Sequence, residues 1–189
     1  MEEVKMINYI QAHKLREKEN LNKIPNDKPG YYKWWATKKS LQIILDKLDI
    51  SFQAIENFLE ERDGLFCIYV GVAIKESLRN RLNWHINQVN NISNVKNGTL
   101  STLRQTISSI VGANMLDTTA TNNFIDTLYV EYHLINLPIK SQEARDKIHK
   151  IEADLLNCNT LYILNIQDNH HKLSPRRKLT ELRKTARQV

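Results

Sequence analysis

The chain has 189 residues and a hydrophobic fraction of 41%, enough apolar material for one compact core without disulfides or a partner. It has no signal-peptide pattern and no run of 18 uncharged apolar residues, so we expect a soluble, cytoplasmic protein that is neither secreted nor membrane-bound. The two cysteines, Cys67 and Cys158, form neither a CxxC pair nor a disulfide framework and are expected to be reduced structural thiols.

The excess positive charge lies at the C-terminal end. Residues 172–189 carry seven lysines and arginines against one glutamate, and this surplus equals the formal net charge of +6 of the whole chain. Segregated positive charge suits contacts to a phosphate backbone, because each neutralised phosphate releases condensed counterions. Arg176, Arg177 and Lys178 are therefore candidates for nucleic-acid binding. The alternative is a solvated C-terminal helix face.

Apolar periodicity and turn residues predict one domain over residues 1–189. In chain order the predicted elements are an N-terminal helical extension over 1–28 with its helix at 3–21, a strand at 30–36, a helical insertion over 37–62 that breaks at 49–51, a strand at 65–71, a helix at 77–91, a loop at 91–98, a helix at 101–112, a strand at 127–135, a helix at 142–157 and a basic tail over 172–189. We expect an α/β (α+β) fold, with a small three-stranded mixed or antiparallel sheet flanked by helices.

Two of the predicted strands carry related short motifs, Gly30-Tyr31-Tyr32 and Tyr69-Val70-Gly71. Glycine weakens a strand, so its presence in both motifs indicates a close approach of the backbone to a neighbouring group. The two motifs resemble the paired strands of GIY-YIG nucleases. The resemblance implies a metal-assisted enzyme that cuts DNA.

The helix that follows the second motif is similar to the family's arginine helix, in which a tyrosine or histidine stands four residues after the arginine. Arg81 and His85 are the matching positions. Their spacing places both on one face of the helix, where the arginine can offer a rigid fork of donors to a phosphate. The alternative is an arginine lying over the edge of the core and a histidine bonded to a backbone carbonyl.

The family also implies a glutamate on a later helix and an asparagine near the end of the domain. Glu152 fits the glutamate, beside the apolar stripe of its helix, and Asp154 is the weaker candidate. Asn165 matches the asparagine and would lie at the nucleic-acid site. The resemblance implies that Glu152 binds one Mg²⁺ or Mn²⁺ ion, and a single carboxylate suffices for a hard cation that keeps waters and uses substrate phosphates as ligands.

The resemblance also implies a division of roles in the reaction. Tyr32 or Tyr69 would be the general base, with Tyr32 preferred. Arg81 and the cation at Glu152 would hold the scissile phosphate, and His85 would hydrogen-bond in the site or relay a proton. A phenol titrates near pH ~10, so the base role requires a large downward shift of its pKa.

The chain departs from the family pattern in two ways, since residues 37–62 are inserted between the two strand motifs and one position carries a different residue. Many members have a lysine directly after the second motif, where this chain has Val72, and Lys75 would have to reach the phosphate instead. A further segment, Ser101-Thr102-Leu103-Arg104, resembles a motif of bacterial members. Its residues Ser101, Thr102 and Arg104 are candidate phosphate ligands, and the alternative is an N-cap with an exposed arginine.

Other chemistry-bearing residues are given structural interpretations. The three tryptophans are expected in the core rather than as stacking platforms for bases; these are Trp34, Trp35 and Trp84. His170 and His171 do not have zinc-ligand spacing with Cys158, so no structural metal is assigned.

The sequence thus predicts a DNA endonuclease similar to the restriction-type branch of the GIY-YIG superfamily, with DNA as its partner. A homodimer is expected if both strands of a specific site are cut. One alternative is a catalytically inactive nucleic-acid-binding module that keeps the fold, which Val72 suggests. Another is a repair or mobile-element nuclease with the same chemistry.

Overall fold

The computed structural model describes residues 9–157, 159–167 and 169–188, so the prediction for Cys158 lies outside the described residues. The strands within these ranges are β1 Ile10–Gln11, β2 Gly30–Thr37, β3 Glu61–Arg62, β4 Leu65–Ala73 and β5 Tyr129–Leu134. The α-helices are α1 Lys18–Asn22, α2 Lys38–Leu48, α3 Phe52–Ile55, α4 Leu78–Asn87, α5 Ile92–Lys96, α6 Thr102–Val111, α7 Thr118–Ile125, α8 Gln142–Leu156 and α9 Arg176–Ala186, with 3-10 helices at Ala12–Arg16 and Glu56–Phe58.

The strands form one antiparallel sheet in the order β1-β5-β2-β4-β3. The prediction of a mixed α/β architecture is confirmed, and its three predicted strands are β2, β4 and β5. The prediction of three strands in total is wrong, because β1 and β3 extend the two edges of the sheet. Each of these has two residues, too few to show the alternation by which a strand is recognised in a sequence.

The two motif glycines allow the close approach that was expected of them. A Cβ atom on Gly30 would lie 2.1 Å from the carbonyl oxygen of His133 on β5. Tyr32 of β2 and Gly71 of β4 are paired residues of the sheet. A Cβ atom on Gly71 would lie 2.5 Å from the hydroxyl oxygen of Tyr32. Glycine at position 71 therefore lets the Tyr32 side chain lie flat over β4.

Most of the predicted helices form, and their starts have local causes. The side chains of Thr37, Ser77, Ser101 and Ser141 cap α2, α4, α6 and α8 by accepting a hydrogen bond from a backbone N–H in the first turn. Within the described residues the predicted helix at 3–21 is wrong, since this stretch holds β1, a 3-10 helix and the short α1. The predicted loop at 91–98 contains α5, and α7 was not predicted.

The sheet separates a large core from a smaller one. On one face, Tyr32 and Trp34 pack with the apolar sides of α2, α4 and α6. On the other face, Trp35 and Cys67 pack with Leu156 of α8. Trp34 and Trp35 are fully buried, which confirms their core assignment, and Cys67 is a buried free thiol.

The open edge of β4 beyond β3 is covered by the segment after α8. The backbone N–H of Leu164 donates to the carbonyl of Ile68 at 2.9 Å. An uncovered strand edge would leave such groups without partners. The segment after α8 therefore lies beside β4, the strand that carries Tyr69 and Gly71. No helix of the described ranges is long and apolar enough to cross a membrane.

Candidate active site

A cavity of about 130 Å³ lies where β4, α4, α8 and the segment covering β4 meet. Its walls contain most of the residues that the family resemblance nominated as catalytic or as ligands. The lining residues are Tyr32, Tyr69, Val70, Gly71, Val72, Arg81, His85, Thr102, Glu152, Leu156, Asn165, Ile166 and Gln167. Six separate stretches of the chain thus meet at one concave site, a convergence that the sequence order does not reveal.

Tyr32 and His85 form a buried pair at the base of the cavity. The hydroxyl oxygen of Tyr32 lies 2.5 Å from Nε2 of His85, and both residues are at most 2% exposed. Burial, together with the charges of Arg81 and Arg104, lowers the pKa of His85 to about 3. The imidazole is therefore neutral at neutral pH, with one ring nitrogen available as an acceptor.

The second phenol, Tyr69, lies beside Tyr32, with ring centroids 6.4 Å apart. Burial raises the pKa of Tyr69 to about 12, although the positive charge of Arg81 opposes this effect. Burial also raises the pKa of Tyr32 well above its usual value of 10.0. The protein by itself keeps both phenols protonated at neutral pH, so its own charges do not supply the downward shift that a free phenolate base would need.

Arg81 is fixed in the cavity wall from two sides. Its Nη2 forms an ion pair with Oε1 of Glu76 at 2.9 Å, and its guanidinium carbon lies 4.7 Å from the ring centroid of Trp84. Its Nε is buried and has no hydrogen-bond partner among the described residues. Arg81 therefore has a fixed plane with donor capacity left at the cavity. Trp84, expected in the core, is instead half-buried beneath this guanidinium.

Glu152 approaches the cavity from α8, whose residues Ile148 and Leu156 are buried against the sheet. Its side chain is 29% exposed, and its Oε2 lies 3.8 Å from Nδ1 of His149. Among the described residues no group of three or more histidine, cysteine, aspartate or glutamate side chains forms a metal cage. The donor set fits a hard cation that takes one protein carboxylate and completes its shell with waters and substrate oxygens.

Asn165 lines the cavity but uses its amide to hold β4. Its Oδ1 accepts from the backbone N–H of Val70, and its Nδ2 donates to the carbonyl of Val70, both at 2.9 Å. The side chain thus takes the place of a neighbouring strand and fixes the backbone between Tyr69 and Gly71. The structure places Asn165 at the predicted site, in contact with the strand that carries the second motif.

Arg104, a predicted phosphate contact, lies in the interior of the protein. Arg104 is fully buried and donates from Nε to Asn90 Oδ1 at 2.6 Å, from Nη2 to Asn122 Oδ1 at 2.6 Å, and from Nη1 to the carbonyls of His85 and Ile86 at 3.1 and 3.3 Å. The last carbonyls of a helix lack intrahelical partners, so this guanidinium caps the C-terminus of α4.

The other residues of that motif divide between structure and site. Ser101 is buried, and its side chain accepts from the N–H of Arg104, which is the N-cap alternative. Thr102 alone of the motif reaches the cavity wall.

The remaining candidates for DNA contact lie outside the cavity. Lys75 is exposed in the turn between β4 and α4. Arg176, Arg177 and Lys178 are exposed on the first turn of α9, where Arg177 pairs with Glu181 at 3.3 Å. Val72, which stands where many family members have a lysine, lines the cavity.

Sequence reasoning missed two residues that hold Arg81. Glu76 precedes the helix that carries Arg81, and no helical spacing rule links the two. Trp84 lies three residues after Arg81, a spacing that indicates contact on a helix face and was available as a signal.

An arginine fork, two phenols, a neutral imidazole and a carboxylate around one cavity define a site suited to the hydrolysis of a phosphate ester. The GIY-YIG catalytic domain family matches residues 30–185, and the chain belongs to this family. The protein thus has a domain of nuclease type, and such a domain implies DNA as the substrate. Neither the curated proteins nor the solved structures gave a match.

Proposed function

We propose that the protein is a DNA endonuclease of restriction type that hydrolyses phosphodiester bonds with one divalent cation, Mg²⁺ or Mn²⁺, in the cytoplasm. One observation carries the proposal: Tyr32, Arg81, His85 and Glu152 converge on one cavity. In the chain these residues are up to 120 positions apart. A homodimer would place two such cavities on the two strands of a site.

Arg81 is proposed to bind the scissile phosphate. Its guanidinium is held by Glu76 and Trp84, its side chain lines the cavity, and its Nε has no hydrogen-bond partner among the described residues. Such a fork can bond two phosphoryl oxygens at once and stabilise the charge that develops on them.

The contact with His85 supports Tyr32 rather than Tyr69 as the base. A neutral phenol beside a neutral imidazole can take a proton from water while it passes its own proton to Nε2, so a free phenolate does not have to form. The His85 imidazolium formed in this step is short-lived, because its pKa is about 3, and it passes the proton back through Tyr32 to the leaving oxygen. The 2.5 Å distance suits this transfer. The relay requires the His85 tautomer with its proton on Nδ1.

Glu152 is proposed as the protein ligand of the cation. Its partly exposed carboxylate in the cavity wall is the kind of oxygen donor that Mg²⁺ and Mn²⁺ prefer. When bound, the cation would polarise the phosphoryl oxygens and help to neutralise their charge. The metal need not be enclosed by the protein, because the substrate supplies further oxygens.

A second candidate function is an inactive nucleic-acid-binding module. The observation that favours it is Val72, an apolar residue in the cavity wall at the position where many members have a lysine. A site without that charge binds the reacting phosphate less strongly.

Supercoiled plasmid incubated with the purified protein and Mg²⁺ separates these functions. Discrete ends found by sequencing support the restriction-type enzyme, and scattered or structure-dependent ends support a nuclease of another biological role. Unaltered plasmid together with a gel shift supports the inactive module and refutes the enzyme.

Glu152→Gln tests the metal assignment, with Asp154→Asn as a matched control. Both variants remove one negative charge from α8, and Asp154 is exposed and does not line the cavity. We expect Glu152→Gln to lose Mg²⁺-dependent cleavage but to keep DNA binding, and Asp154→Asn to cut like the wild type. Circular dichroism confirms the fold of both variants. Retained cutting by Glu152→Gln contradicts the assignment.

A further inference from the structure

Helix α9 has a second side besides its exposed basic face, and this side packs against α6. Leu179 of α9 is fully buried in the large core. Arg183 lies one turn further on the same face, and its side chain is half-buried. The guanidinium of Arg183 therefore lies between α6 and α9, whereas residues 176–178 are exposed.

Two guanidinium groups meet there at one neutral amide. Arg183 Nη2 donates to Oε1 of Gln105 at 2.6 Å, and Arg187 donates to the same oxygen. Gln105 is 4% exposed, and its Nε2 donates to the carbonyl of Leu100 at 2.5 Å, so its orientation is fixed. Within the described part of the chain neither guanidinium forms an ion pair with a carboxylate. Two like charges thus converge with no negative group between them, which favours an anion.

The arginine pair does not line the cavity, but it is linked to the cavity wall through α6. Gln105 lies three residues after Thr102 on the same face of α6, and Thr102 is part of the cavity wall. Burial raises the pKa of Tyr69, and the positive charge of Arg81 opposes this most strongly, with a smaller contribution in the same direction from Arg183. Burial and the neighbouring Arg187 lower the pKa of Arg183 itself to about 10, as expected for a crowded, desolvated cation.

We infer that Arg183 and Arg187, joined by Gln105, bind a second DNA phosphate, the neighbour on the same strand of the phosphate at Arg81. The inference rests on the proposed function. Planar guanidinium donors match phosphate oxygens, and an anion between the two arginines relieves their repulsion. Arg183 is then a positioning residue, because a strand held at two successive phosphates presents the scissile bond in a fixed register.

The first test compares Arg183→Gln with Lys184→Gln. Both variants remove one positive charge from the same turn of α9, but Lys184 is exposed. Binding of a fluorescein-labelled DNA duplex is measured by anisotropy without divalent metal. We expect Arg183→Gln to bind about tenfold more weakly and to flatten the salt dependence by about 0.9 log units per log unit of salt, with a smaller change for Lys184→Gln. Equal behaviour of the two variants overturns the inference.

Gln105→Glu is a second variant that does not remove either arginine. It places a carboxylate between the two guanidinium groups, so we expect DNA affinity to fall about tenfold. The variant also loses the Nε2 donor to the carbonyl of Leu100, which opposes the gain from the new ion pairs, so the thermal unfolding midpoint is measured as the control for folding. Wild-type DNA affinity in this variant overturns the inference.

A duplex series with one neutral methylphosphonate at each position in turn locates the phosphates. The wild type should bind less tightly when the methylphosphonate stands at either of two adjacent positions. The affinity of Arg81→Gln should no longer depend on the substitution at one of these positions, and that of Arg183→Gln should no longer depend on the substitution at the other. Insensitivity of Arg183→Gln at a distant position, or at none, overturns the inference even if the wild type cuts DNA. Conversely, a protein that shows this pattern but cuts no plasmid refutes the nuclease proposal and leaves the second phosphate site in place.

Discussion

Helices α4 and α6 each carry an arginine that the sequence nominated for DNA, and the fold uses the two in opposite ways. Arg81 of α4 lines the cavity, has one carboxylate partner in Glu76, and keeps a buried Nε without a partner among the described residues. Arg104 of α6 is fully buried, and its three guanidinium nitrogens all donate to neutral oxygens, among them those of Asn90 and Asn122.

The difference shows what a substrate-binding arginine requires. Arg104 makes four hydrogen bonds to interior oxygens and is fully buried, so it does not reach a phosphate. Arg81 is held in place by groups on two sides and keeps donor capacity on the side of the cavity. The two residues are also linked, because Arg104 caps the C-terminus of the helix that carries Arg81.

The largest expected effect is on cleavage by Arg81→Lys. Lysine keeps the positive charge but loses the planar fork, so we expect plasmid cleavage to fall by about 10²- to 10³-fold. The thermal unfolding midpoint should change little, since Arg81 is partly exposed and its ion pair with Glu76 lies at the surface. The rate of nicking at saturating DNA is the measurement, and wild-type turnover would remove Arg81 from the site.

Arg104→Met should act on stability instead. The substitution leaves the Oδ1 atoms of Asn90 and Asn122 and the carbonyl of His85 without this donor, although Arg16 still donates to the carbonyl of Ile86. We therefore expect the free energy of unfolding to fall by about 3 kcal/mol. Urea titration is the measurement. Arg79→Met is the control, because the hydrogen bond of Arg79 to another described residue is an exposed 3.3 Å contact to Asn22, and we expect a change within about 0.5 kcal/mol. If Arg104→Met were as stable as that control, the capping role would be wrong.

Those parts of the site that depend on residues close together in the sequence could be predicted, and those that depend on residues far apart in the sequence could not. The motif strands and the spacing from Arg81 to His85 are local patterns, and the structure places Tyr32, Tyr69, Gly71, Arg81 and His85 at the cavity. The burial of Arg104 depends on Asn90 and Asn122, which approach it only in the folded chain. No periodicity distinguishes a buried arginine from an exposed one when its partners lie on other elements.

Local sequence patterns were also insufficient to predict the edge strands of the sheet and the packing of the C-terminal helix. Strands β1 and β3 exist because the backbones of β5 and β4 pair with them, and two residues carry no alternation. The basic end of the chain was interpreted by its charge alone, although α9 has the buried residue Leu179 on one face. Charge counts locate a surplus but do not say which arginines point inward.

Acid should destabilise the fold through His85, which both arginines influence. The imidazole titrates near 6.5 when unfolded, whereas burial, Arg81 and Arg104 lower its pKa in the folded protein to about 3. Between these values the unfolded chain binds the additional proton, so the free energy of unfolding falls as the pH falls, by about 1.4 kcal/mol per pH unit. Above pH 6.5 neither state binds the proton and this contribution is fully present.

The measurement is urea unfolding of the wild type and His85→Gln at pH 7 and pH 4.5. We expect the wild type to lose roughly 2 to 3 kcal/mol more than the variant over this interval. Comparison of the two proteins cancels the other groups that titrate in the same range. An equal loss in both proteins would mean that His85 is charged in the folded state.

The smallest expected effect belongs to Glu76→Gln, which asks whether the carboxylate beside Arg81 competes with DNA. The two side chains are 24% and 31% exposed, so loss of the ion pair should change the free energy of unfolding by less than about 1 kcal/mol. Without the carboxylate, Arg81 bonds a phosphate with no internal partner to displace, and we expect DNA affinity without metal to rise a few-fold. Anisotropy with a labelled duplex measures this change. If binding and cleavage both fell, Glu76 would instead be needed to hold the guanidinium of Arg81 in its plane. Arg104 needs no such carboxylate, because its neutral acceptors fix it from several directions.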